Sequence, residues 1–114
     1  MTTQKADALA RADPALQRTY TYLLKAAQSL GPVTEERGAR SVLLRSRGGF
    51  LGVHPKRDCL DLQIVTDHVI RAARVTKVDP VSARRFHVHV RIASEKEVDA
   101  QLLGWLREAY DLMA

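Results

Sequence analysis

Cysteine is almost missing from this chain of 114 residues: Cys59 stands alone, so no disulfide within the chain can staple the fold. Aromatic residues are few, with two Phe, one Trp and three Tyr. Long apolar runs are missing too. The stretches SVLLR and LQIV are soon interrupted by charge, far short of the ~20 apolar residues that cross a bilayer. The opening MTTQKADALARADPAL has no apolar run of the kind a secretory signal requires. Together these absences predict a reduced, cytoplasmic, soluble protein with no membrane partner. A chain of this length can bury enough surface to hold together without a disulfide or a structural metal.

Catalytic signatures are equally sparse. There is no GxSxG elbow, no Walker phosphate loop, no GxGxxG after a strand and no HExxH. The paired CxxC or HxxxH spacing of a structural zinc site is also absent. No segment repeats or falls to low complexity.

What the sequence does have is positive charge, unevenly placed. Eighteen Lys and Arg face thirteen Asp and Glu, a net charge of +5. Residues 37 to 91 hold twelve of the basic side chains and only four acidic ones, whereas residues 92 to 114 hold two basic and five acidic. A concentrated excess of this kind attracts anions, while a scattered one mainly aids solubility.

Periodicity supplies the elements. Asp13 before Pro14 is a helix start, since the carboxylate accepts from an orphan backbone N–H and Pro at the first helical position sacrifices no needed donor. Leu16, Tyr20, Leu23, Leu24, Ala27 and Leu30 then form one apolar stripe up to Gly31 and Pro32. Residues 1 to 12 carry no stripe and read as a flexible N-terminal segment.

From residue 42 the period falls to two, the signature of strands. Val42 to Arg45 and Phe50 to His54 flank Ser46, Arg47, Gly48 and Gly49, whose glycines suit the positive φ of a tight hairpin. A second turn, HPKRD, leads into Leu60, Leu62 and Ile64. Thr66 to Arg74 is assigned one short helical turn, Ala73 to Val78 an edge strand, and Asp79 to Arg85 a loop containing Pro80. In Phe86 to Ile92 the apolar residues Phe86, Val88, Val90 and Ile92 alternate with His87, His89 and Arg91.

Ser94 and Glu97 have capping-box spacing and predict a final helix with the stripe Val98, Leu102, Trp105, Leu106, Ala109, Leu112 and Met113. Gly104 within it suggests a backbone packed close by.

The pieces add up to one α+β domain over residues 13 to 114. It is expected to be a two-layer sandwich, with an antiparallel sheet of four to five strands and the N- and C-terminal helices on one face. The other face is left open, carrying His87, His89 and Arg91 and, register permitting, Cys59, Asp61 and Gln63.

The runs RFHVHVRIASEKEVDAQLLGWLREAYDLM and SVLLRSRGGFLGVHPKRDCLDLQI resemble a family of small bacterial domains of unknown function, DUF5655, over roughly residues 14 to 113. The resemblance implies the α+β arrangement. It implies no activity and no catalytic residue.

Three functional readings follow. The first is a noncatalytic binding module with a basic surface for nucleic acid or a phosphorylated ligand, built from Arg45, Arg47, Lys56, Arg57, Arg84, Arg85, His87, His89 and Arg91. It needs no cofactor, no metal and no catalytic residue. Within it, RSRGGF is either a nest of backbone N–H groups for a phosphate or simply a soluble hairpin tip. Tyr20, Tyr22, Trp105 and Tyr110 fall on helices, so base stacking across the sheet is not expected.

The second reading is a protein-interaction or homodimerisation module that uses the open face or an edge strand. The third is a small metal protein or enzyme built on His87 and His89 with Cys59, Asp61 or His54. Glu35 and Glu36 are adjacent, so a strand would direct them to opposite faces, not into an acid/base pair.

Overall fold

The structure, a computed structural model, describes residues 7–114. Helix α1 spans Pro14–Gln28 and begins where the sequence places it: the Asp13 carboxylate accepts from the backbone N–H of Ala15 at 2.8 Å, with Pro14 at the first helical position. Its buried stripe is Leu16, Thr19, Tyr20, Leu23 and Ala27.

The C-terminal helix differs from expectation. The Ser94–Glu97 capping box forms, but it closes only a 3-10 turn, Glu95–Glu97. Helix α2 starts later, as Ala100–Met113, because Asp99 is a second cap: it accepts from the Leu102 N–H at 3.0 Å. The same carboxylate receives Arg74 Nη1 at 2.8 and 3.0 Å, so the later cap is also the one anchored by a cation.

Six antiparallel strands form one sheet, where the sequence suggests four or five: β1 (Thr34–Arg37), β2 (Val42–Arg45), β3 (Gly49–Pro55), β4 (Leu60–Thr66), β5 (Val75–Ser82) and β6 (Arg85–Ile92), in the order β1-β2-β3-β4-β6-β5. The strand missed is β1. Its sequence TEER is exposed throughout, so it has no buried alternation to betray it; its ladder to β2 alone defines it.

Strand β5 also runs further than expected, through Pro80 to Ser82, where a loop is anticipated. An edge strand tolerates a residue without an N–H, and its pairing with β6 shifts register around Pro80. Residues 67–74 form bends and a turn, with no helix.

Alternation along the strands sends Val42, Leu44, Leu51, Val53, Leu60, Leu62, Ile64, Val88, Val90 and Ile92 into one core with α1 and α2. A register shift between Leu44 and Arg45 lets Phe50 enter it as well, edge-on to Tyr110 with ring centroids 5.3 Å apart. The segment expected to be flexible is packed where it is described. Leu9 is 2% exposed within a 3-10 turn, Leu9–Arg11, and the Ala8 N–H bonds Gly38 O at 3.0 Å. Residues 1–6 of that segment lie outside the described residues.

Two glycine expectations are corrected. The Gly48 and Gly49 turn needs no positive φ, which among the described residues occurs at Gly31 alone, at 151°. Gly48 instead provides room: a Cβ there would stand 2.8 Å from Met113 Cε. Gly104 has no close neighbour, since a Cβ there would meet nothing within 4 Å.

Candidate functional site

The antiparallel register writes the open face of the sheet in rows. His54 lies opposite Asp61, which lies opposite Arg91; Gly52, Gln63, His89 and Lys77 make the next row; Val65, His87 and Asp79 make the third. The open face therefore does carry Asp61 and Gln63 beside the β6 histidines. His54 and Asp79 join them because β3 and β5 are in register with β4 and β6, a tertiary fact that no local pattern reveals.

His89 is not the solvated strand histidine the sequence suggests. It is 5% exposed although it points away from the core. Its Nε2 lies 2.9 Å from Asp79 Oδ2 and its Nδ1 3.6 Å from Asp61 Oδ2. Partial desolvation works to raise the Asp79 carboxyl, but the His89 hydrogen bond and the Lys77 charge outweigh it and hold that carboxyl below its usual range. The second Asp61 oxygen, Oδ1, is buried without a hydrogen-bond partner among the described residues. His87 is half-buried and Arg91 exposed.

The His89 ring thus lies between two carboxylates, Asp61 from β4 and Asp79 from β5. Among the described residues, no three of His, Cys, Asp or Glu come together in a way that could hold a metal ion. The Glu35 and Glu36 carboxylates do part: Glu35 accepts the Tyr20 hydroxyl, and Glu36 pairs with Arg45 at 3.7 Å. Burial, followed by the Glu35 hydrogen bond, pushes the Tyr20 phenol far above its usual value.

The basic residues are divided between two ends of the sheet, roughly 20 Å apart given the rise of a seven-residue strand. Arg45, Arg47, Arg84 and Arg85 lie at the end that holds the β2–β3 and β5–β6 turns; Lys56 and Arg57 lie at the opposite end, toward which Arg91 leads. At the first end the RSRGG turn is already engaged. Its Gly48 N–H donates to Met113 O at 2.9 Å, its Ser46 N–H to Gly48 O at 3.1 Å, and its Ser46 hydroxyl to Tyr110 O at 3.0 Å. Beside it, a cavity of about 390 Å³ is lined by Thr66, Asp67, Glu108, Asp111 and Leu112.

The other end has the opposite character. A cavity of about 490 Å³ opens between the β1–β2 turn, the β3–β4 turn and the N-terminal 3-10 turn, lined by Ala8, Arg11, Ala12, Ala39, Arg40, His54, Pro55 and Lys56. Among the described residues, no carboxylate lines it. Arg11 Nη2 donates to Ala39 O at 2.9 Å, which fixes that guanidinium at the rim. Among the described residues, no carboxylate pairs with Arg40 or Lys56.

His54 belongs both to this cavity and to the open face. Its ring folds over Gly52, where a Cβ would stand 3.6 Å from His54 Nε2 and 3.8 Å from Gln63 Oε1. Burial holds the imidazole below its usual value; Lys56 and His89 act in the same direction, while the Asp61 charge and the Gln63 hydrogen bond oppose it.

Arg11, Arg40 and His54 are absent from the residues the sequence assigns to anion binding. His54 follows a strand pattern and Arg40 a turn, but Arg11 lies in the segment read as flexible, and only its packing brings it to the cavity. Among the described residues, no helix is long and apolar enough to cross a membrane.

No curated protein and no solved structure matches the chain. A family model described as "Domain of unknown function (DUF5655)" matches residues 5–113, nearly the whole chain. The six-stranded antiparallel sheet with its two helices and basic end is thus the form this sequence gives to a member of the DUF5655 family, to which the chain belongs.

Proposed function

We propose that this domain is a noncatalytic binding module that takes a phosphate-bearing ligand in the cavity lined by Arg11, Arg40, His54 and Lys56. The observation that carries this reading is the composition of that cavity: three cationic side chains and an imidazole around one concavity, with no carboxylate in the lining among the described residues. Arg11, Ala39 and Arg40 give it a rim in which one guanidinium is already oriented by a backbone carbonyl, and preorganisation lowers the ordering cost of binding.

Size favours a small phosphorylated ligand, or one exposed phosphate of a larger one, over a nucleic-acid duplex. The cavity of about 490 Å³ falls within the range of small-molecule sites. The continuous basic face that would track a nucleic-acid backbone is interrupted: the two basic ends are separated by the Asp61 and Asp79 carboxylates. Association through sheet edges has less in its favour. The β1 edge carries Glu35, Glu36 and Arg37, and the β5 edge carries Lys77, Pro80 and two register shifts, all features that oppose strand addition.

The test is calorimetric titration with pyrophosphate, a nucleoside monophosphate and a short single-stranded oligonucleotide at two salt concentrations. The expected result is binding that weakens with salt. It should fall at least about a hundredfold in Arg40→Ala/Lys56→Ala, because each of the two charge-assisted hydrogen bonds is worth about 1.5–3 kcal/mol. Arg84→Ala/Arg85→Ala, at the other end of the sheet, should bind normally. Absence of binding, or equal loss in both double variants, overturns the reading.

A further inference from the structure

We infer that anion occupancy of this cavity is coupled to uptake of one proton by His54, so that the module holds its ligand more tightly as pH falls through neutrality. The inference rests on the binding role proposed above and adds its regulation. Among the described residues lining the cavity, His54 is the one whose side chain belongs to a type that changes charge near neutral pH. It also lies on the open face, opposite Asp61 in the β3–β4 ladder.

The groups around His54 come from every neighbouring element. Lys56 stands in the following turn, Arg40 in the β1–β2 turn and Arg11 in the N-terminal 3-10 turn; Asp61 and Gln63 come from β4 and His89 from β6. Burial disfavours the charged form of this half-buried ring, and the Lys56 charge acts in the same direction. Asp61 is its cross-strand partner and bears one carboxylate oxygen without a hydrogen bond, but the other oxygen of that carboxylate faces His89 at 3.6 Å.

An anion in the cavity changes this balance. It offsets the Lys56 charge, which acts against protonation, and stands against an imidazole that lines the same concavity. Linkage then requires that whatever favours the imidazolium when the ligand is bound makes protonation favour the ligand.

The sign differs between the empty and the occupied protein. The folded, empty protein has a His54 value below 6.5, so the unfolded chain binds more protons than the folded one in the window beneath 6.5. Stability of the empty protein therefore falls as pH drops through that window, whereas affinity for the anion rises.

Sulfate is the probe, since it carries its full charge across this range whereas a phosphomonoester titrates near pH 6. Calorimetric titration from pH 5.5 to 8, in two buffers of different ionisation enthalpy, should show proton uptake approaching one and an affinity change of up to about tenfold per pH unit at the steepest point. His54→Gln should still bind sulfate at pH 8 but lose the proton uptake and flatten the profile; His89→Gln should keep both. NMR titration of the His54 ring protons provides a measurement without substitution, and sulfate should shift that titration upward. Sulfate binding with no pH dependence, or a pH dependence that survives in His54→Gln, overturns the coupling while leaving the binding site in place. No sulfate binding at any pH removes the site and the coupling together.

Discussion

The turns RSRGG and HPKRD look alike in sequence, each a short basic connection between adjacent strands, but the fold uses them in opposite ways. The first is closed against the C-terminal end of α2 by Gly48, Ser46 and Phe50, and next to it lies a cavity lined with Asp67, Glu108 and Asp111. The second instead forms a wall of the cavity shared with Arg11 and Arg40. Charge in a loop becomes a site only when the neighbours leave its polar groups unsatisfied. The first turn should therefore matter for stability and the second for binding.

The largest effect should come from breaking the closed end. Phe50→Ala removes a fully buried ring in edge contact with Tyr110 and should lower unfolding free energy by about 3–5 kcal/mol in urea denaturation, with affinity at the far cavity little changed at temperatures where the protein remains folded. The Arg40→Ala/Lys56→Ala protein should give the converse, losing ligand affinity while its stability stays within about 0.5 kcal/mol of wild type. A large stability loss there would show that the second turn is structural after all.

Ser46→Ala is a finer probe. It deletes one hydrogen bond from the turn to Tyr110 O and should destabilise by about 1 kcal/mol. The exposed Arg57→Ala, in the second turn, should change stability by less than about 0.5 kcal/mol.

Acid sharpens the contrast further. The Asp99 carboxyl is held below its usual range by the Leu102 backbone N–H and then by Arg74. A carboxylate depressed in the folded state contributes stability above its unfolded value of about 3.9 and loses it as pH falls through the lower folded value. Arg74→Met should therefore flatten the loss of stability below about pH 4, followed by circular dichroism, while the same substitution at Arg57 should leave the acid limb unchanged.

Much of this molecule was legible where local physics dominates. Asp13 with Pro14 marks the start of α1, and the alternation of Phe86 to Ile92 marks β6 and assigns its faces. The residues that misled are those whose surroundings come from elsewhere. TEER gives no alternation because an exposed edge strand needs none. His89 reads as wet because its sequence neighbours Val88 and Val90 face the core, yet Asp79 from β5 and Asp61 from β4 enclose it. Ser94 is a true cap, but of a 3-10 turn, because Asp99 with Arg74 provides the better start for α2. The expected anion residues of the two turns were grouped by their closeness along the chain, and the sheet sends them to opposite ends.

Sequence alone determined the two helices, the strands with a buried alternation and which side of each of those strands is apolar, because those choices depend on a few neighbouring residues and on the period of the backbone. Only the tertiary structure decided which of the basic side chains share a cavity, which turn is sealed by a helix end and why a polar-face histidine is buried. Those outcomes depend on the pairing of strands far apart in the chain, and electrostatic surroundings are set by distance in space, to which sequence separation is a poor guide.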